Sequence, residues 1–202
     1  MKFILGEKKE MTQVFDEKGV VTPVTILSAG PIVVTQVKNK EKDGYEGVQV
    51  GFGTRRATRI SKPVQGHTKE LGNFKVLQEF AGENLGLERG AKIDVSVFAP
   101  GDLVRVSAVT KGKGFQGVVK RHGFKGGPRT HGQKHSEREP GSIGGGLRSK
   151  VPKGKRMAGR MGGTKITVTN LKVVQVLPET NEILIKGAIP GRRGTLVTIS
   201  QM

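Results

Sequence analysis

Leu103-Val-Arg-Val-Ser-Ala-Val109 is followed, one residue later, by Lys111-Gly-Lys-Gly-Phe-Gln-Gly117, and the sequence changes character between these two stretches. The first is a short run rich in Val, which is typical of a β-strand bounded by turns. The second combines two lysines with three glycines and opens a segment, residues 111–165, whose composition differs from that of the rest of the chain. This boundary predicts a β-sheet domain that is interrupted by an inserted basic segment.

Charge and glycine are concentrated in the inserted segment. The chain has 202 residues, 35 Lys or Arg against 17 acids, and a net charge of +18. Residues 111–165 hold fifteen of these cations, fifteen of the 31 glycines and two acids, Glu137 and Glu139. The large apolar residues of the segment follow neither a strand nor a helix period, so their burial cannot offset the entropy of ordering it. Alone, we expect a mobile loop, and interior loops of this length are usually functional.

The flanking regions read as short strands separated by Gly, Pro and Asp turns. The runs rich in Val, Ile, Thr and Phe are residues 20–27, 32–37, 48–52, 93–98, 103–109, 165–177, 183–185 and 196–199. Helix is expected only as short turns near residues 67–71 and 115–122. Many short strands predict a mainly β fold, an antiparallel barrel formed by residues 1–110 and 166–202. Residues 111–165 are then a long, basic, Gly-rich extended loop inserted in that barrel.

Several protein classes are excluded by what the sequence lacks. There is no Cys, which excludes a disulfide-stapled scaffold and a cysteine zinc site. No apolar run approaches the ~20 residues of a membrane-spanning helix. The apolar run at residues 3–5 is too short for a signal-peptide core, so we expect a cytoplasmic protein with no membrane partner.

Residues 112–117 match the dinucleotide-binding pattern G-x-G-x-x-G, with Glu137 twenty residues beyond the last glycine. The context argues against that function, because Gly123 breaks the following segment after about one helical turn. Glu137 also does not end a second strand, and no P-loop pattern is present. We therefore predict that the chain is not an enzyme, takes no cofactor and has no small-molecule substrate.

Histidines raise the alternative of a metal site. His131 and His135 are four residues apart, which on a helix would place both rings on one face. Gly132 and the flanking prolines make a helix improbable there, although His122 and Glu137 nearby keep a metal site conceivable. We favour contacts from exposed histidines to phosphates or bases, and predict no bound metal.

RNA is the ligand that the basic segment fits best, because Lys and Arg neutralise phosphates and aromatic side chains stack on unpaired bases. The predicted RNA-binding residues of the segment are Lys111, Lys113, Phe115, Lys120, Arg121, His122, Phe124, Lys125, Arg129, His131, Lys134, His135, Arg138, Ser142, Arg148, Lys150, Lys153, Lys155, Arg156 and Arg160. In the flanking domain they are Arg55, Arg56, Arg59 and Lys62. Phe115 and Phe124 are expected chiefly to pack at the base of the segment. The two alternatives are a DNA-architectural protein and an enzyme acting through residues 112–117 or the histidines.

A series of motifs occurs along the chain in a fixed order. They are Met11-Thr-Gln-Val-Phe-Asp-Glu-Lys-Gly19, Val24-Thr25 with Ala29-Gly-Pro31, Asp43-Gly-Tyr-Glu-Gly-Val-Gln-Val-Gly-Phe-Gly53, Gly101-Asp-Leu-Val104, Lys111-Gly-Lys-Gly-Phe-Gln-Gly117, Pro140-Gly-Ser-Ile-Gly144, Lys155-Arg-Met-Ala-Gly-Arg-Met-Gly162 and Lys186-Gly-Ala-Ile-Pro-Gly191. Each motif alone is modest. As an ordered set covering essentially the whole chain, they resemble the bacterial form of the universal family of large-subunit ribosomal protein three.

The resemblance implies a translation-protein-type β-barrel with a long extension reaching into ribosomal RNA. It implies a structural constituent of the large ribosomal subunit that binds ribosomal RNA near its 3′ end and helps nucleate assembly. The tip of the extension, around residues 141–151, would lie nearest the peptidyl transferase RNA and support it, while the RNA performs the catalysis. Large-subunit ribosomal proteins fourteen and nineteen are the implied neighbours.

Two positions depart from the family pattern. Glu10 stands where relatives have a glycine before Met-Thr, so the local turn geometry is expected to differ there. Gly145 stands where some bacterial relatives carry a methylated glutamine, so that modification is not expected in this chain.

Overall fold

The computed structural model describes residues 2–82, 86–146 and 150–202. The chain divides into two compact units. Residues 1–109 together with 165–202 form one, hereafter the barrel unit, and residues 110–164 form the other, hereafter the extension unit.

Short strands dominate the described residues. In chain order they are β1 (Phe3–Phe15), β2 (Val21–Ala29), β3 (Ile32–Lys38), β4 (Gly47–Thr54), β5 (Phe74–Ala81), β6 (Lys92–Ile93), β7 (Leu103–Val109), β8 (Phe115–Gln116), β9 (Gly159–Arg160), β10 (Lys165–Leu177), β11 (Glu182–Lys186) and β12 (Leu196–Gln201). The helices are α1 (Lys40–Asp43), α2 (Lys62–Thr68) and α3 (Val118–His122), and 3₁₀ turns occur at Ala57–Arg59, Lys69–Leu71 and Val95–Val97. None of these helices is long and apolar enough to cross a membrane.

Six antiparallel strands close into a barrel in the order β1-β12-β7-β10-β11-β2, with β2 paired again to β1. Closure leaves no free edge in this sheet, and alternate side chains fill its interior. Leu5, Val106, Ile183 and Ile199 are among the fully buried side chains. The prediction of a mainly β, antiparallel barrel is confirmed.

A second sheet of four strands, in the order β5-β4-β3-β6, belongs to the same unit. Its apolar face joins the core of the barrel, and the rings of Phe3 and Phe80 stack there with their centroids 4.2 Å apart. The buried hydroxyl of Thr35 donates to the side-chain oxygen of Gln49 at 2.8 Å, so that group is satisfied inside the sheet. After β4 the chain leaves this sheet through a basic turn before entering α2.

The structure differs from the predicted elements in several places. Strands β1 and β5 and the short helix α1 occupy residues for which no such element was predicted. Residues 93–98 were predicted as one strand, but β6 ends at Ile93 and Val95–Val97 form a 3₁₀ turn. The burial alternation is nevertheless present, because Val95 is fully buried while Asp94 and Ser96 are exposed.

Bulges allow two long strands to bend around the barrel. In β10 the register shifts between Val168 and Leu171, next to Asn170, whose φ is +58°. In β1 it shifts between Lys8 and Met11, and Glu10 lies inside that bulge. The carboxylate of Glu10 pairs with the guanidinium of Arg193 at 2.6 Å, and strand β1 continues through this position, which departs from the family pattern.

Candidate nucleic-acid interface

The extension unit begins and ends in a narrow antiparallel ribbon. The backbone N–H of Lys113 donates to the carbonyl of Met161 at 2.9 Å, and the N–H of Met161 donates to the carbonyl of Gly114 at 2.9 Å. Gly162, with a φ of +75°, makes this approach possible, since a Cβ there would lie 2.0 Å from the carbonyl oxygen of Lys111. Gly162 therefore allows the two segments to approach closely and also adopts a backbone conformation that other residues rarely adopt.

A single turn of helix, α3, ties the outgoing segment to the returning one. Gly123, with a φ of +70°, ends the helix, and Val118 is its buried residue. The guanidinium of Arg121 donates to the backbone carbonyl of Met157 at 2.7 Å, and Nε2 of His122 lies 3.0 Å from the same oxygen. Two residues predicted to contact RNA thus also hold the unit together.

The two phenylalanines of the extension unit have different surroundings. The ring of Phe124 is half-buried, with the guanidinium of Arg156 5.3 Å from its centroid and the ring of His122 at 6.0 Å. Phe115 does not pack at the base of the extension as predicted, because its side chain is 76% exposed. A large aromatic ring left open beside Lys113 and Arg160 is suited to stacking on a base.

A smaller loop closes on itself within the extension unit. The N–H of Gly127 donates to the carbonyl of Glu137 at 2.8 Å, where a Cβ on Gly126 would lie 2.2 Å from that oxygen. The carboxylate of Glu137 accepts from Arg129 at 2.7 Å. One of the two acids in the segment is therefore used to close this loop.

The histidines of this loop are not arranged for a metal. His131 has a φ of +60° and lies with His135 in irregular structure, so the helical spacing considered from the sequence does not occur. Within residues 2–82, 86–146 and 150–202, no group of three His, Cys, Asp or Glu side chains is placed to hold a metal ion.

Most predicted RNA-binding cations of the extension unit remain uncommitted. They are exposed, and their side chains make no hydrogen bond or ion pair with another described residue; they are Lys111, Lys113, Lys120, Lys125, Lys134, Arg138, Lys150, Lys153, Lys155 and Arg160. Ser142, His131 and His135 are exposed as well, and the Ser142 hydroxyl accepts from the N–H of Gly144 at 3.3 Å. Arg148 lies outside the described residues.

The remaining predicted residues lie in the barrel unit, at the turn that follows β4. Arg56 precedes and Arg59 ends the 3₁₀ turn Ala57–Arg59, and Lys62 begins α2. Arg55, Arg56 and Arg59 line an open recess of about 730 Å³, and Lys75 lines it as well. Sequence reasoning missed Lys75, because only the pairing of β5 with β4 brings it beside this turn.

Elsewhere in the described part of the barrel unit, some of the cations are paired with acids. Lys38 contacts Glu79 at 2.8 Å, and both side chains also bond the Tyr45 hydroxyl. These hydrogen bonds lower the pKa of Glu79, the bond from Lys38 being the largest cause, and raise the pKa of Lys38. The pKa of Asp102 is lowered by the backbone N–H of Ala99 and then by Lys2. The cations in these pairs are already neutralised inside the protein.

Comparison with known proteins adds two similarities. A family model described as ribosomal protein L3 matches residues 64–183 of this chain. The large ribosomal subunit protein uL3 of Streptococcus pyogenes serotype M1 is 50% identical over 200 residues. That similarity covers 98% of this chain and 95% of the streptococcal protein, so it includes both units.

Proposed function

Because this chain belongs to the ribosomal protein L3 family, we propose that it binds large-subunit ribosomal RNA directly, near the 3′ end of that RNA. The chain is a structural protein of the large ribosomal subunit, and its place is the ribosome in the cytoplasm. The proposal concerns how its residues act there. They bind and position RNA, and they carry out no reaction of their own.

The charge of the extension unit is the observation that carries the proposal. Its exposed lysines and arginines have almost no acidic partners within the unit, since Glu137 is paired with Arg129 and only Glu139 remains. Unpaired like charges at this density repel one another in the free protein. An RNA backbone would remove that repulsion and release its own counterions on binding.

The extension unit is also the part of the chain that we propose acts in assembly of the large subunit. Its ribbon and the Arg121 contact to Met157 hold the two chain segments together, and the exposed cations project from them. Bound to RNA, such a segment fixes neighbouring RNA helices relative to each other and so helps nucleate subunit assembly. By its family, the tip near residues 141–151 supports the peptidyl transferase region, and large-subunit ribosomal proteins fourteen and nineteen are neighbours.

The test is the salt dependence of binding to large-subunit ribosomal RNA. We would replace four cations of the returning segment of the extension unit by Gln, namely Lys153, Lys155, Arg156 and Arg160. Lys153, Lys155 and Arg160 make no hydrogen bond or ion pair with another described residue, and Arg156 contacts the ring of Phe124. Each lost phosphate contact should flatten the slope of log K against log salt by about 0.7–0.9. The full variant should therefore lose affinity and about three units of slope.

The matched control replaces four exposed lysines of the barrel unit, Lys18, Lys40, Lys42 and Lys92, by Gln. It removes the same charge from positions that are not predicted to contact RNA, so its slope should stay close to that of the parent protein. Duplex DNA of equal charge serves as competitor. Equal slopes for the two variants would contradict the proposal. Equal competition by DNA would contradict it as well and would favour the DNA-architectural alternative.

A further inference from the structure

The turn after β4 carries a cluster of cations in the barrel unit. Among the described residues that line its recess, four are cationic and none is acidic. Lys75 is paired with Glu7 at 2.5 Å. The exposed side chains of Arg55, Arg56 and Arg59 make no hydrogen bond or ion pair with another described residue. Within the part of the chain that the structure describes, three guanidinium groups within five residues are thus left without a partner.

These three arginines stand on a backbone that is already fixed. The N–H of Arg55 donates to the carbonyl of Asn73 at 3.0 Å, and the N–H of Arg59 donates to the carbonyl of Arg56 at 2.9 Å. The first bond anchors the turn to the residue before β5. The second closes the 3₁₀ turn between Arg56 and Arg59. The turn is therefore held at its start and across its middle.

Gln65, on α2, fastens the same turn from the other side. Its side-chain Nε2 donates to the carbonyl of Ala57 at 2.6 Å and to the carbonyl of Ile60 at 2.8 Å. Both carbonyls belong to the turn that carries the arginines. The side-chain amide of Gln65 therefore restrains the turn that carries the three arginines. A binding surface that is ordered before the ligand arrives loses less conformational entropy on binding.

We propose that Arg55, Arg56 and Arg59 form a preformed site for the phosphate backbone of RNA, and that Gln65 is its positioning residue. The ligand is a run of consecutive phosphates, since a guanidinium forms two parallel hydrogen bonds to a phosphate and reads no base sequence there. A recess of about 730 Å³ accommodates a nucleotide-sized group. The inference rests on the proposed RNA-binding function and adds a second attachment point in the barrel unit.

The experiment uses the full-length chain and measures binding to large-subunit ribosomal RNA over a salt series. The variant Arg55→Gln/Arg56→Gln/Arg59→Gln should flatten the slope by about two units and weaken binding at least tenfold at moderate salt. The charge-matched control Lys18→Gln/Lys40→Gln/Lys42→Gln should bind like the parent. A variant with all three arginines changed to Lys should keep the slope but lose affinity, because lysine cannot make the paired hydrogen bonds.

Gln65→Met tests the positioning role, because it keeps the length of the side chain and removes the donor. Binding should weaken several-fold in the parent chain and not change further in the triple-arginine background, since the charge that Gln65 positions is then gone. A purely structural role would give the same loss in both backgrounds and would overturn this assignment.

The outcomes separate this inference from the proposed function. If the triple-arginine variant binds like its control while the variant at Lys153, Lys155, Arg156 and Arg160 loses slope, the second site is refuted and the proposed function stands. If neither variant differs from its control, the proposed function itself is refuted. Unchanged RNA binding together with lost binding to a ribosomal protein would assign the turn to a protein partner and overturn the inference.

Discussion

The guanidinium of Arg121 donates a hydrogen bond to the backbone carbonyl oxygen of Met157 at 2.7 Å, across 36 residues of sequence. This contact joins α3 to the returning segment of the extension unit. A Cβ at Gly159 would lie 2.6 Å from Nη1 of Arg121, so a larger residue there would shift the guanidinium. A cation that composition assigns to RNA is thereby shown to have a partner inside the protein.

Replacing Arg121 by Met should loosen the extension unit. A hydrogen bond from a charged donor contributes about 1.5–3 kcal/mol, so the amides of the ribbon should exchange with solvent at least tenfold faster. Native-state hydrogen exchange of Lys113 and Met161, whose N–H groups donate across the ribbon, would measure this. Lys120→Met removes an exposed neighbouring cation and should leave both exchange rates unchanged.

Gly162 and Gly154 provide a matched pair for separating backbone strain from steric contact. Their φ values are +75° and +76°, but a Cβ would meet the Lys111 carbonyl at 2.0 Å at Gly162 and nothing within 4 Å at Gly154. Gly154→Ala should lower the stability of the extension unit only by the strain of placing an alanine in the left-handed conformation, about 1–2 kcal/mol. Gly162→Ala should in addition push the ribbon apart, and exchange of the Lys113 amide should detect this. Equal exchange in the two variants would show that the close approach is not required.

The barrel could be predicted because its strands carry turn boundaries and β-branched runs, and the parts that were missed lack those signals. In β1, burial ends at Gly6 and most of the following side chains are exposed, so no alternation marks the strand. Its backbone is stabilised instead by pairing with β12, which is distant in sequence, and with β2, the next strand along the chain. Residues 93–98 show the opposite case. Their buried and exposed side chains alternate as in a strand, but the backbone of Val95–Val97 forms a 3₁₀ turn.

Composition alone predicts where the candidate site lies. It does not predict which of its residues are free to contact RNA and which are bonded inside the protein. The concentration of cations and glycines in residues 111–165 is a property of the sequence. Which cations stay free is decided by contacts between distant segments, such as Arg121 with Met157 and Arg129 with Glu137. Likewise, the support that Gln65 gives to the turn at Ala57 has no signature in residue type or spacing.

Phe115 should contribute to RNA binding and little to folding. Its side chain is 76% exposed, so Phe115→Leu should leave the unfolding midpoint unchanged. Stacking of one base on an aromatic ring contributes about 1–3 kcal/mol, and affinity for large-subunit ribosomal RNA should fall by roughly 5-fold to 150-fold. Phe15→Leu, at a side chain 61% exposed in the barrel unit, is the control. Equal affinities for these two variants would mean that Phe115 does not stack on RNA.

Asp102 should make the stability of the barrel unit depend on pH in the acid range. Its carboxylate accepts from the N–H of Ala99 at 3.1 Å and from Lys2 at 2.9 Å, and these bonds lower its pKa below the ordinary value of 3.8. A group with a lowered folded-state pKa stabilises the protein above its unfolded-state pKa, and the stabilisation disappears as the pH falls through the folded-state pKa. Asp102→Asn should therefore be less stable than the parent at neutral pH.

The difference between Asp102→Asn and the parent should shrink as the pH is lowered below about 3.8 and vanish once Asp102 is protonated in both states. Urea unfolding of the full chain at a series of pH values would measure it. Asp94→Asn is the control, because the side chain of Asp94 is exposed and makes no capping hydrogen bond. A stability difference for Asp102→Asn that persists unchanged at the lowest pH would assign the effect to the turn geometry rather than to the charge of the carboxylate.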